Sequence, residues 1–317
     1  MNTILWISYL VVTLWSIINI IFYGMRSTKM ISWSLTVIIL PFLDPILYYL
    51  FGINRRKFKL FKLKQTEKRK LYSETYKELK GGEKSIHNFG EHKHDKIASL
   101  IRKNCYFAPY EDNKIDLLND GEEAFGAIFD AIEKAEKFIH IQYYILEKGE
   151  LLDRFYELFS KKIKEGVEIR MLYDSLGSHS LRGKLIKRFK EIGVKAHSSL
   201  PIRFGNLLFT LNYRNHRKIV IVDGKVGFTG GFNVSDKYIK PISDLGLWQD
   251  LHLRLEGPIV NSLQRVFVKD YHFASNEDIL LEDKYFPKME TKGDCIAQVV
   301  ASGPILNTRP SCNSIWP

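Results

Sequence analysis

Cysteine is scarce in this chain: Cys105, Cys295 and Cys312 are the only three in 317 residues, far apart and without metal-binding spacing. An odd, sparse count argues against a disulfide framework and fits a reducing compartment. The histidines offer no better metal site. His87, His92 and His94 lie close together, but in a Gly- and Lys-rich stretch without cysteine, which reads as a solvated loop. Neither a metal nor a cofactor is expected. Acidic residues are also short: 36 Asp and Glu face 47 Lys and Arg, leaving a net charge of +11 concentrated near the N-terminus.

Long apolar runs are present. Residues 4–23 (ILWISYLVVTLWSIINIIFY) carry no charge, and residues 31–51 carry one, Asp44, between Pro41 and Pro45. About 20 apolar residues in a helix cover a hydrocarbon core of roughly 30 Å. Two N-terminal transmembrane helices are therefore expected, with a re-entrant second segment as the alternative. A signal peptide fits poorly, because a basic leader and a small-residue cleavage site are missing and a second run follows at once. Residues 55–70 then hold nine Lys or Arg and one Glu. That excess marks a cytoplasmic flank, places the N-terminus inside as well, and makes residues 24–30 a short external turn despite Arg26 and Lys29. The same run attracts anionic lipid at about 1 kcal/mol per basic residue near the surface.

Residues 72–104 are polar and uneven and read as a linker with some helix. From about residue 120 the pattern alternates. GEEAFGAIFDAIEKAEK is helical, with Ala124, Ile128 and Ile132 on one face. FIHIQYYIL reads as a strand, LLDRFYELFSKKIKEG as an amphipathic helix, VEIRMLYDSLGS as a strand and LRGKLIKRFKEIG as a helix. This order predicts an α/β domain with a largely parallel sheet. Two antiparallel strands joined at Asp223-Gly224, the strand LWQDLHLRLEG and the helix PIVNSLQRVFVKDYHFAS follow. The division expected is an anchor over 1–54, a basic segment and linker over 55–118, the α/β domain over 119–290, and a distinct segment over 291–317.

The stretch RNHRKIVIVDGKVGFTGGFN, residues 214–233, carries the chemistry. Side chains alternate along a strand, so His216 and Lys218 share a face. An imidazole beside an ammonium suits a phosphate: the Lys neutralises oxyanion charge, and the His can attack phosphorus or pass a proton. Asp223 has the opposite parity and precedes Gly224, which reads as a hairpin turn. Gly230 and Gly231 let backbone approach a ligand closely, and Asn233 can donate its amide to a phosphate oxygen.

The string H-x-K-x4-D-x6-G-G, here His216, Lys218, Asp223, Gly230 and Gly231 with Asn233 following, resembles the HKD motif of the phospholipase D superfamily. The two apolar runs, the basic segment, HIQYYIL, LYDSLGS and LWQDLHLRLEGP, in that order, resemble bacterial cardiolipin synthases of that superfamily. The resemblance extends to about Pro304. It implies a phospholipase D-like α/β domain, a mixed sheet flanked by helices, behind a multi-pass anchor in the cell membrane. It further implies that His216 is the nucleophile on a phospholipid phosphodiester, with Lys218 and Asn233 binding the phosphoryl oxygens and no metal required. Asp250, in LWQDLHL, is the carboxylate expected to orient the imidazole. Asp223 belongs to the motif and stays among the catalytic candidates, although its parity favours a role in the hairpin.

Family members carry two such motifs whose histidines face each other as nucleophile and general acid. This chain holds one. His94 and Lys96 have the H-x-K spacing without the rest, and the other histidines lack a lysine two residues on. CIAQVVASGP resembles the first strand of the family's second half, whereas ILNTRPSCNSIWP has no family character and reads as a truncated or frame-shifted end. The expected function is phosphatidyl transfer joining two phosphatidylglycerols into cardiolipin plus glycerol, completed by a homodimer or a complementing second half. The alternatives are a catalytically silent fragment and a single-motif dimeric phosphodiesterase. Nucleic acid is disfavoured as a substrate, because the basic run abuts a span and lacks interleaved stacking aromatics.

Overall fold

A computed structural model of the chain describes residues 3–22, 27–39, 93–105, 107–181, 183–199, 214–241, 246–280, 282–288 and 290–301. It divides into two compact units. In the first, α1 (Thr3–Phe22) meets α2 (Ser27–Ile39) through Ile20 and Val37, with Ile17 and Trp33 against them. Most other large side chains of α1 point outward; Trp6, Ile7, Leu10, Val11, Leu14 and Trp15 are all exposed. No helix among the described residues is long and apolar enough to count as a membrane span. The nearest is α1, with 20 residues and no charge. The end of the second apolar run, the basic run 55–70, His87 and His92 lie outside the described residues.

The second unit is built on one eight-stranded sheet. Its strands are β1 (Tyr110–Leu118), β2 (Phe138–Tyr143), β3 (Glu168–Asp174), β4 (Lys195–Ser199), β5 (Ile219–Val222), β6 (Val226–Gly230), β7 (His252–Glu256) and β8 (Cys295–Ala297). They lie in the order 4-3-2-5-6-7-1-8. The sheet is mixed, but not largely parallel: only β2–β3 and β3–β4 pair in parallel. The helical crossovers stop at β4, and β5, β6 and β7 then pair antiparallel. Strand β1 and the edge strand β8, which the pattern leaves outside residues 119–290, belong to the same sheet.

Helices cover both faces, so β2 is buried at all six positions. On one face lie α4 (Gly121–Glu133), α5 (Glu150–Lys164) and α6 (Lys184–Glu191); the remaining helix before the sheet is α3 (Lys93–Cys105). Asp120 caps α4 by accepting from the amide of Glu123, whose carboxylate accepts from the amide of Asn119. Ala124, Phe125, Ile128 and Ile132 of α4 then pack with Leu151, Phe155 and Phe159 of α5 against Ile139, Ile141, Val220 and Val222. On the other face, α7 (Ile259–Ser275) buries Val260, Leu263 and Phe267 against Phe138, Ile219 and Ile221. It ends at Asn276, which takes the left-handed conformation common at helix ends. Alternation along β2 sends His140 to this second face, where it meets Gln264 and stacks on Phe267. Burial pushes its pKa down to about 3, so it is a neutral core residue.

Candidate active site

The antiparallel pairing of β5 with β2 and β6 gathers several strand ends on one edge of the sheet. Gln142 pairs with Ile219, Ile219 with Thr229, and Gly230 with His252. Tyr144, just past β2, therefore meets His216 and Lys218, just before β5. Asn233 follows β6 and Asp250 precedes β7 at the same edge.

The imidazole of His216 stacks on Tyr144 with ring centroids 3.7 Å apart. Lys218 donates from Nζ to the His216 carbonyl at 2.9 Å, and its ammonium lies 5.9 Å from the Tyr144 ring centre. Thr229 Oγ1 donates to the Lys218 carbonyl at 2.8 Å, fixing the start of β5. Burial, and then the Lys218 charge, hold His216 below its ordinary value of 6.5, while Asp174 pulls the other way. Lys218 is only 9% exposed, and burial lowers its pKa against the opposing effect of Asp250. The site thus presents an imidazole favoured in its neutral form beside a cation whose charge has lost part of its hydration.

Asn233 is buried, and its Oδ1 accepts from the amide of Ile145 at 3.2 Å, which leaves the amide nitrogen as its donor. Val234 donates to the Ile145 carbonyl, and Glu147 donates to that of Val234. Ser235 donates to the Glu147 carboxylate. The loops after β2 and β6 are thereby laced together beside His216.

One expectation needs correction. Asp250 makes no hydrogen bond to His216. Its Oδ1 accepts from the amide of Leu251, and its charge acts on Lys218 and His252. The carboxylate whose charge reaches His216 is Asp174, at the end of β3, beside Arg214. Asp223 lies at the opposite end of β5. Its carboxylate accepts from the amides of Glu136, Lys137 and Phe138, each at 2.8 Å, and so anchors the start of β2. It adopts φ 52, followed by Gly224 at φ 68, as an Asp-Gly hairpin turn requires.

The glycine pair also makes room for protein groups. A Cβ on Gly231 would collide with the Asp250 carboxylate, and one on Gly230 would sit 2.6 Å from His252 Nδ1. These positions admit protein groups from the segment entering β7. His252 itself is fully buried, stacked on Phe232, and held neutral with a pKa of about 4.

Sequence reading missed Tyr144, Asp174 and Arg214. No spacing rule joins them to His216. Asp174 Oδ1 accepts from the amides of Leu176 and Gly177, a local turn that hides its proximity to the site. Among the described residues no cluster of His, Cys, Asp and Glu is arranged to hold a metal.

The electrostatics make a direct prediction. A lowered pKa places the midpoint of protonation below the ordinary value, so His216 should titrate below 6.5 by NMR of labelled imidazole. Lys218→Met removes the charge that depresses it, and the inflection should move upward. An inflection at or above 6.5 in the unmodified chain would contradict this geometry.

A mixed α/β sheet presenting His, Lys and Asn at one edge is the arrangement of a phospholipase D-like domain. Residues 128–270 match the family described as cardiolipin synthase, phospholipase D-like domain. The chain is 36% identical over 291 residues to a cardiolipin synthase of Oceanobacillus iheyensis, covering 90% of this chain and 60% of that protein. It is also 36% identical over 277 residues to the major cardiolipin synthase of Bacillus subtilis, covering 86% of this chain and 58% of that one. It thus spans well under two thirds of the length of these relatives. Among solved structures, NucT from Helicobacter pylori aligns with a TM-score of 0.40 at 17% identity, over 51% of this chain and 98% of NucT.

Proposed function

We propose that the chain carries the nucleophilic half of a membrane-bound phosphatidyltransferase. The observation that carries this reading is the neutral imidazole of His216 beside the ammonium of Lys218 within a cardiolipin synthase-type domain. His216 attacks the phosphorus of phosphatidylglycerol, a nitrogen–phosphorus bond forms, and the bond to the glycerol headgroup breaks. Lys218 and the Asn233 amide stabilise the charge that builds on the phosphoryl oxygens. The leaving alkoxide takes a proton from an acid facing His216, which a complementing second half or a second copy supplies. The hydroxyl of another phosphatidylglycerol then attacks the phosphohistidine and gives its proton back to that facing group, forming cardiolipin as the nitrogen–phosphorus bond breaks and restoring the imidazole.

The exposed apolar side chains of α1 and the basic run that follows support a two-span anchor with the domain on the cytoplasmic side. An enzymatic reporter fused after residue 100 should be active inside the cell; external labelling there would reverse the orientation. The reaction is tested by supplying the full chain with vesicles of phosphatidylglycerol labelled in its headgroup. The expected products are labelled glycerol and cardiolipin, with an acid-labile phosphate on His216. Phosphatidate in place of cardiolipin would make the reaction hydrolysis. Absence of both product and phosphoenzyme, with or without a complementing half, would favour a silent fragment.

A further inference from the structure

The stretch that carries His216 lies outside the hydrogen-bond ladder of the sheet. Pairing of β5 with both of its neighbours ends at Ile219, and residues 214–218 are assigned to no strand. A nucleophile on an unladdered extension needs another constraint, because in-line attack tolerates little displacement of the reacting atom.

We propose that Asp270 of α7 is the positioning residue for His216. One carboxylate oxygen, Oδ2, accepts from Asn215 Nδ2 at 2.6 Å, from Arg217 at 2.5 Å and from Gln142 Nε2 at 2.9 Å. Asn215 and Arg217 are the residues on either side of the nucleophile. In an extended chain, neighbouring side chains point to opposite faces. Pinning 215 and 217 toward α7 therefore obliges the side chain between them to project the other way, toward Tyr144.

The third donor completes the logic. Gln142 pairs across the ladder with Ile219, so the same oxygen that holds the extension also ties it to the strand beside it. The Arg217 and Asp270 side chains are 18% and 15% exposed, so this charge-assisted contact is made largely out of water, where it holds geometry well. Asn215 Oδ1 also accepts from the amide of Arg217, stiffening the same turn of chain. Asp270 is more than 50 residues from its two flanking donors in sequence and acts on His216 only through the backbone between them.

The inference rests on the reading of His216 as nucleophile, but it can be measured without turnover. The full chain in detergent is treated with diethyl pyrocarbonate, and modification of His216 is followed by peptide mass spectrometry, with His197 and His272 as internal references. In Asp270→Ala the imidazole loses its enforced contact with Tyr144, and its modification should accelerate about tenfold while the references keep their rates. Asp270→Asn keeps an acceptor without the charge and should give an intermediate rate; Asn215→Ala removes one tether and should do the same. Phosphoenzyme formation from phosphatidylglycerol should lose roughly 10²-fold in kcat in Asp270→Ala, with KM within about twofold. If Asp270→Ala does not fold, the other two variants decide the matter. Wild-type His216 reactivity in folded Asp270→Asn and Asn215→Ala would overturn the proposal, as would a raised KM at unchanged kcat. A change in reactivity without any phosphoenzyme in the unmodified chain would uphold the positioning role and reject the nucleophile.

Discussion

Replacing His216 by alanine is expected to leave no acid-labile phosphoenzyme at all. In the proposed mechanism the imidazole supplies the nitrogen of the nitrogen–phosphorus bond, so its removal deletes the step instead of slowing it. Its side chain is held mainly by stacking on Tyr144, and Lys218 bonds to its backbone carbonyl, which alanine retains. The variant should therefore fold, and the loss should report chemistry. Lys218→Ala differs in kind, since it removes one electrostatic contact to the developing charge and should lower the rate about 10²–10³-fold. Trapping labelled phosphate from phosphatidylglycerol in acid and alkali distinguishes the two variants. A phosphoenzyme of undiminished yield in His216→Ala would end the nucleophile assignment.

The second large effect is on stability and comes from the motif residue that stands apart. Asp223→Ala removes a carboxylate that satisfies the amides of Glu136, Lys137 and Phe138. Bonds to a charged acceptor are each worth about 1.5–3 kcal/mol, and amides stranded near a buried strand start add desolvation cost. Since the three are not additive, a loss of about 3–5 kcal/mol is expected, which is a fall of roughly 10 °C in Tm. The left-handed backbone at this position adds strain for alanine that asparagine largely avoids. Asp223→Asn should therefore recover about half of the loss. In thermal denaturation both variants should melt early, while the NMR titration of His216 stays where it was. A displaced His216 titration with unchanged Tm would return Asp223 to the catalytic group.

The legibility of this chain in its sequence follows from local rules. Strong periodicity revealed α4, α5 and α7, and Asp223-Gly224 revealed the β5–β6 hairpin, because each depends on neighbours in sequence. Strands β1 and β4 escaped notice, since YEDNKIDLL and KAHSS are polar segments that gain their structure from pairing at or near the sheet margin. His216, Lys218 and Asn233 were legible as a motif; the first two lie against Tyr144, and Asn233 accepts from the amide of Ile145 next to it. Asp250 was placed near the correct strand but given a partner it does not touch. That error is a distance problem: its position depends on how the segment before β7 lies against Gly231, which no period encodes. Tyr144 and Asp270 were invisible for the same reason.

The start of α5 carries one more consequence. Its first amides, on Glu150 and Leu151, are capped by Asp236, a residue from the loop after β6, whose carboxylate fills the space that a side chain on Gly149 would need. A helix capped from within its own segment can fray alone; this one cannot release its first turn without also freeing the loop that bears Asn233. Fraying of α5 is thus coupled to the loop that bears Asn233, and the conformational entropy of ordering that loop is lost during folding, before any ligand arrives.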